Sequence, residues 1–231
     1  MKVLKNCLLA ASMMTIGLSG FAQKLPAFKS ESIKKGPVSL PYTDIQNYFG
    51  YVKPGSAPDE ERDGKKFYYV YVWIPAVAPE IGVRMVSPAP AKMKPKEGKD
   101  FVSPLWAEGE SDTKNFFDTW ISFERAEGVT SADDIKTKGK SASWKSYGQN
   151  DDSSELPAQP SGSKYNSCLR IVSEPSNPAK ALVVGLYRIG FTTYKRGEVQ
   201  GSFVAQIGAP VKLPGVKVAK DLESLAKALG K

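Results

Sequence analysis

The chain has 231 residues, with 32 Lys+Arg against 24 Asp+Glu, a formal net charge of +8 and no histidine. Without histidine, Ser-His-Asp and Cys-His nucleophile systems in their usual form are excluded. With two cysteines, Cys7 and Cys168, so is the ordinary tetrahedral nitrogen/sulfur zinc site.

Residues 1–22 read as a secretory signal. Lys2 and Lys5 make a positive start, residues 8–18 are an apolar run too short to span a bilayer, and Gly20-Phe21-Ala22 offers small residues for cleavage. What remains, residues 23–231, is of single-domain size, and no later segment is apolar enough to form a transmembrane span. The expectation is an exported protein of the periplasm, the cell surface or the medium. Cys7 leaves with the signal, so Cys168 stands alone. It lies in an alternating apolar run and reads as a buried thiol in a strand; an intermolecular disulfide is the sharper alternative.

Residues 23–46 are rich in Pro, Lys and Ser and read as an extended N-terminal arm, with at most a short edge strand at 38–40. A strand over 48–52 runs into a turn at Lys53-Pro54-Gly55, and Asp63-Gly64 makes a second turn. The run 67–75 that follows is the densest β-branched and aromatic stretch of the chain. It is apolar on both faces and so reads as a central strand between two packed layers. Its aromatics, with Tyr48 and Tyr51, are expected to fill the core. Residues 83–87 alternate as a further strand, closed by Pro88.

Residues 88–113 read as a long loop, in which Lys92, Lys94, Lys96 and Lys99 alternate with Pro and Gly. That is a solvated excursion and not a nucleic-acid face. A strand over 117–124 follows. Ser131 to Asp134 resembles a capping box and starts a short helix near 131–138. Residues 139–163 read as loop, with Trp144 and Tyr147 as exposed interface anchors. Strands over 165–172, 181–194 and 201–208 close the pattern, with Gly185 and Gly190 expected at bulges or a bend. Asp221 caps a C-terminal helix near 221–229, whose Leu222, Leu225 and Leu229 form a stripe that docks as a lid. Seven or eight strands, long loops, few helices and no internal repeat argue for an all-β sandwich, with the jelly roll among its forms.

Several segments carry a resemblance, in order: NYFGYVKPG at 47–55, YVYVWIPAV at 69–77, GVRMVSP at 82–88, and FDTWI at 117–121 with Glu124-Arg125. KYNS at 164–167, GLYRI at 185–189, FTTYK at 191–195 and GSFVA at 201–205 complete the set. Together they resemble the family of the leptospiral major outer-membrane surface lipoprotein. That resemblance implies a jelly-roll sandwich, a calcium site, and a matrix-binding adhesin with collagen, fibronectin or laminin as ligands. The positive charge adds acidic surface polymers to the partners expected.

There are two departures from the family pattern. Its lipid-anchoring cysteine ends the signal, whereas Cys7 precedes the apolar run here and no lipobox cysteine lies near Ala22. Its acidic loop carries a long aspartate run, of which Asp151-Asp152 remains. The positions that match the family's calcium ligands are Asp118, Thr119, Asp151, Asp152 and the carbonyl of Tyr165, oxygen donors of the kind a hard cation takes. By themselves, two adjacent aspartates in a Ser-rich loop are turn residues. Two other functions stay open at this stage. One is a structural envelope protein without a specific ligand. The other is a carboxylate-dependent glycan-active enzyme using Glu124, Asp118 or Glu198, although nothing in the sequence pairs them at the separation hydrolysis needs.

Overall fold

The computed structural model describes residues 42, 44–112, 114–151, 166–194 and 197–231. The signal and the arm up to residue 41, together with Asp152 and Tyr165, lie outside the described residues. Eleven strands form two sheets among these residues.

The five-stranded sheet has the order β5(Phe101–Val102), β1(Asp44–Val52), β10(Gly201–Ala209), β4(Glu80–Val86), β8(Asn166–Val172). Its pairs are antiparallel except β1 with β5. The second sheet runs β11(Lys217–Ala219), β3(Lys65–Ile74), β9(Gly185–Thr193), β6(Thr119–Ala126), β7(Trp144–Asn150). A three-residue strand, β2(Glu60–Arg62), pairs with the first half of β3, while β11 takes the second half. The two sheets form the expected β-sandwich.

Asp63 and Gly64 form the two-residue turn between β2 and β3, with φ of 51° and 72°. Positive φ at both positions matches the right-handed strand twist and favours Asp-Gly there. In β3, Tyr68, Val70, Val72 and Ile74 enter the core between the sheets, where Phe191 of β9 meets Phe203 of β10 at 4.8 Å. Tyr71 and Trp73 face the other way, into a second cluster under the helices. Both faces of β3 are thus covered, which is why it reads as apolar throughout.

That second cover comes from α2(Ile135–Lys138), which follows a 3₁₀ turn capped by Ser131, and from α3(Leu222–Ala228). Asp221 caps α3 by accepting from the Ser224 amide at 2.7 Å. A helix of this length is marginal in isolation. Burial of Leu222 and Leu225 against Trp73 and Leu186 holds it, at roughly 1.5–3 kcal/mol per side chain.

The structure corrects three expectations. Residues 88–113 are not all loop: they hold β5 and α1(Trp106–Gly109), whose Trp106 packs on Phe49 at 5.2 Å. Residues 139–163 contain β7, a polar edge strand. Gly185 and Gly190 mark no bulge, since β9 pairs in continuous register with both neighbours. Gly190 is required for close approach instead: a Cβ there would stand 2.6 Å from Ser122 Oγ and 3.0 Å from the Tyr69 ring. The register shift falls between Phe123 and Glu124, where β6 meets β7.

Candidate functional site

The strands bring the described calcium candidates to one corner. Ile121 of β6 pairs with Asn150 of β7, so Asp151 follows at the end where β6 begins with Thr119, directly after Asp118. The β7–β8 connection starts at this corner, and β8, the edge of the opposite sheet, closes it. Asn150 Nδ2 donates to the Cys168 carbonyl of β8 at 2.7 Å.

Thr119 is fully buried and ties the two sheets together. Its Oγ1 accepts from the Ser167 amide at 3.1 Å. Ser167 Oγ donates to the Thr119 carbonyl at 2.5 Å and accepts from Thr119 Oγ1 at 2.7 Å. The threonine hydroxyl therefore has its proton and one lone pair engaged, which leaves a second lone pair over. Asp118 accepts from the Tyr194 amide through its backbone carbonyl at 3.0 Å, which fixes the segment leading into β6. Among the described residues, no three histidine, cysteine, aspartate or glutamate side chains gather closely enough to hold a metal ion. Asp118 and Asp151 are the described carboxylates of the expected set. They suit a hard, oxygen-seeking cation in kind, and a full shell draws on more ligands than these two.

A second constellation covers the outer face of the β3-β9-β6-β7 sheet, and of its charged groups Glu124 was singled out from the sequence. Glu124 is 3% exposed. It accepts from Arg188 at 2.6 Å, from Arg62 at 3.0 Å and from Ser122 Oγ at 3.0 Å. The Arg188 guanidinium lies between two rings, 3.8 Å from the Tyr69 centroid and 4.2 Å from Trp144. Arg62 is delivered by the β2–β3 turn and stands over Phe67 at 4.5 Å. Tyr69 Oη donates to Glu60 at 2.5 Å and accepts from Arg62 at 2.7 Å. Burial pushes the Glu60 carboxyl up, but hydrogen bonds from Tyr69 and Arg62 outweigh it and hold the group below the usual carboxylate range.

Trp144 and Tyr147 are not exposed anchors. Trp144 is half-buried against Arg188 and Tyr71, and Tyr147 packs on the core while its hydroxyl donates to the Ala181 carbonyl at 2.9 Å. Glu198 is exposed and pairs with Lys66 at 3.0 Å. The aromatic strand signal was legible; the arginine of β9 that threads between rings from β3 and β7 was not, because its partners are distant in sequence.

A family model described as a surface lipoprotein of the Spirochaetales order matches residues 36–218. The chain belongs to that family. The match spans all of β1 to β10, and with them the Thr119 corner and the Arg188 cluster. The family description implies a place outside the cytoplasm, and among the described residues no helix is long and apolar enough to cross a membrane. No curated protein matches the chain.

Proposed function

We propose that this member of the surface lipoprotein family is a non-catalytic binding protein of the cell envelope, stabilised by calcium at the β6–β7 corner. Its ligands are extracellular-matrix proteins or acidic surface polymers. The observation that carries the calcium reading is the convergence of Asp118, Thr119 and Asp151 where the β7–β8 connection leaves the sandwich. Asp152 and the Tyr165 carbonyl, at the two ends of that connection, complete the ligand set. A bound cation would neutralise the carboxylates and hold the connection against the start of β6. Two contacts support the reading: Thr119 and Ser167 tie the sheets at this corner, and the Tyr194 amide donates to the Asp118 carbonyl.

The binding reading is favoured over an enzyme by the state of the acids. Glu124 is neutralised by two guanidiniums and has no free face for a substrate proton, while Glu198 is an exposed ion-pair partner. The test is the thermal midpoint of the protein in chelator and then in millimolar calcium, beside an Asp118→Ala/Asp151→Ala/Asp152→Ala variant. At ten times the dissociation constant a folded-state ligand adds about 1.4 kcal/mol, or roughly 3–6 °C for a domain of this size. The parent midpoint should rise and the variant's should not. An equal response, or none in either, removes calcium from the proposal.

A further inference from the structure

The two long seams of the sandwich are built differently. On one, β6 and β7 are tied to β8 through Thr119, Ser167 and Asn150. On the other, the edge strands β5 and β11 leave an open cleft of about 580 Å³, with Asp44, Lys99, Asp100, Phe101, Lys212 and Lys217 in its walls. That volume lies within the range of ligand clefts.

The state of each polar group in the cleft indicates what it takes. The carboxylates serve internal donors. Asp44 accepts from the Leu213 amide at 2.7 Å and from Gln46 Nε2 at 3.0 Å. Asp100 accepts from Asn47 Nδ2 at 2.7 Å and from the Lys96 amide at 2.9 Å, which shapes the turn that presents Lys99. The ammonium groups are different. Among the described residues, Lys99, Lys212 and Lys217 make no ion pair or side-chain hydrogen bond. The open capacity of the cleft is therefore cationic donors, three of them from two chain segments more than a hundred residues apart in sequence.

The apolar part of the lining narrows the choice. Leu213 and Val216 are buried in the core, so the walls offer no trough for an acyl chain. Phe101 is half-buried and packs on the core, and its remaining surface is suited to one face of a pyranose ring. This also gives a role to the end of the Lys92–Lys99 excursion that the fold itself does not use: Lys94 pairs with Glu110, whereas Lys99 stands at the cleft.

We propose that the cleft between β5 and β11 binds an acidic saccharide, with carboxylate or sulfate groups on Lys99, Lys212 and Lys217 and a sugar ring against Phe101. The inference rests on the reading of the chain as a binding protein for acidic polymers and assigns that role a place.

The experiment measures affinity of the full chain for polygalacturonate, dextran sulfate, neutral dextran and polyglutamate at about 0.15 M salt, where unpaired surface charges are substantially screened. The first two arms separate carboxylate from sulfate. A Lys99→Ala/Lys212→Ala/Lys217→Ala variant is compared with a charge-matched Lys136→Ala/Lys140→Ala/Lys227→Ala variant, all six lysines being at the surface. An unchanged unfolding midpoint verifies that both fold. Binding of an acidic glycan that weakens about tenfold or more in the cleft variant, and less than about twofold in the matched one, supports the site. Equal loss in both variants, or none in the cleft variant, overturns the cleft while leaving polymer binding standing. Polyglutamate bound as tightly as the glycans overturns the saccharide assignment. No binding of any acidic polymer by the parent removes both the cleft and the polymer part of the proposed function.

Discussion

Replacing Glu124 by Ala should be among the most damaging single changes on the outer face of the sandwich. The carboxylate is 3% exposed and faces Arg188, whose side chain is 8% exposed. Removing one partner of a buried pair typically costs about 3–5 kcal/mol, because the other charge stays desolvated. Two features pull this case toward the lower end. Arg188 keeps Glu60 at 3.6 Å, and it keeps its stacking on Tyr69 and Trp144. Arg62 is about a third exposed, so its lost pairing adds less than about 1 kcal/mol. The sum is about 3–4 kcal/mol, a fall in midpoint of roughly 6–16 °C for a domain of this size. Urea unfolding should show the loss as a lower midpoint at unchanged slope. A Glu124→Leu/Arg188→Met double variant removes both charges and leaves a thioether between the two rings, so it should recover most of the loss. A loss below about 1 kcal/mol for Glu124→Ala, or a double variant worse than the single one, refutes the account of this network as a buried pair whose cost comes from the stranded charge.

Two further outcomes follow from local geometry. Gly201 has φ of 93°, and a Cβ there would stand 2.0 Å from the Asn115 carbonyl oxygen, a backbone atom. Gly201→Ala should therefore destabilise by more than about 2 kcal/mol in denaturant unfolding, through strain and overpacking together. Glu80 governs part of the acid response. Burial pushes its carboxyl up, but hydrogen bonds from Arg170 and Tyr42 and the Arg170 charge outweigh this and hold it below the ordinary value of 4.5. Between the folded and unfolded values the unfolded chain binds more protons. The contribution is therefore complete above the ordinary carboxylate range and is lost as pH falls through the folded value. Glu80→Gln should be less stable than the parent at neutral pH and converge on it in acid, as read from unfolding midpoints across a pH series.

The parts of the fold legible in the sequence are those whose signal is local. β3 announces itself by a long β-branched and aromatic run behind an Asp-Gly turn, and α3 by a capping aspartate and leucines at helical spacing. β7 was hidden because an edge strand with residues such as Lys145, Ser146 and Gln149 has the composition of a loop, and polar edges are how sheets avoid further pairing. β5 and β11 are two and three residues long, too short for any periodicity to show. The role of Gly190 depends on side chains from β3 and β6, so a glycine that reads as a bulge is in fact a site of close packing. At the candidate metal corner, Asp118, Thr119 and Asp151 were all named from the family resemblance. What the residues alone did not reveal was that Thr119 also joins the two sheets, since Ser167 lies 48 positions away.

The joint between Thr119 and Ser167 consists of two hydroxyls, an amide and a carbonyl, and carries no formal charge. Ionic strength cannot screen it, and no proton exchange within the ordinary pH range alters it. Surface proteins meet media that change in salt and acidity. The alignment of one sheet on the other is, on this side of the molecule, indifferent to such changes, while the lysine-lined seam opposite carries formal charges that salt screens. Structural alignment and sensitivity to salt are thereby placed on opposite margins of the same sandwich, so that screening of the lysine-lined seam leaves the frame opposite it intact.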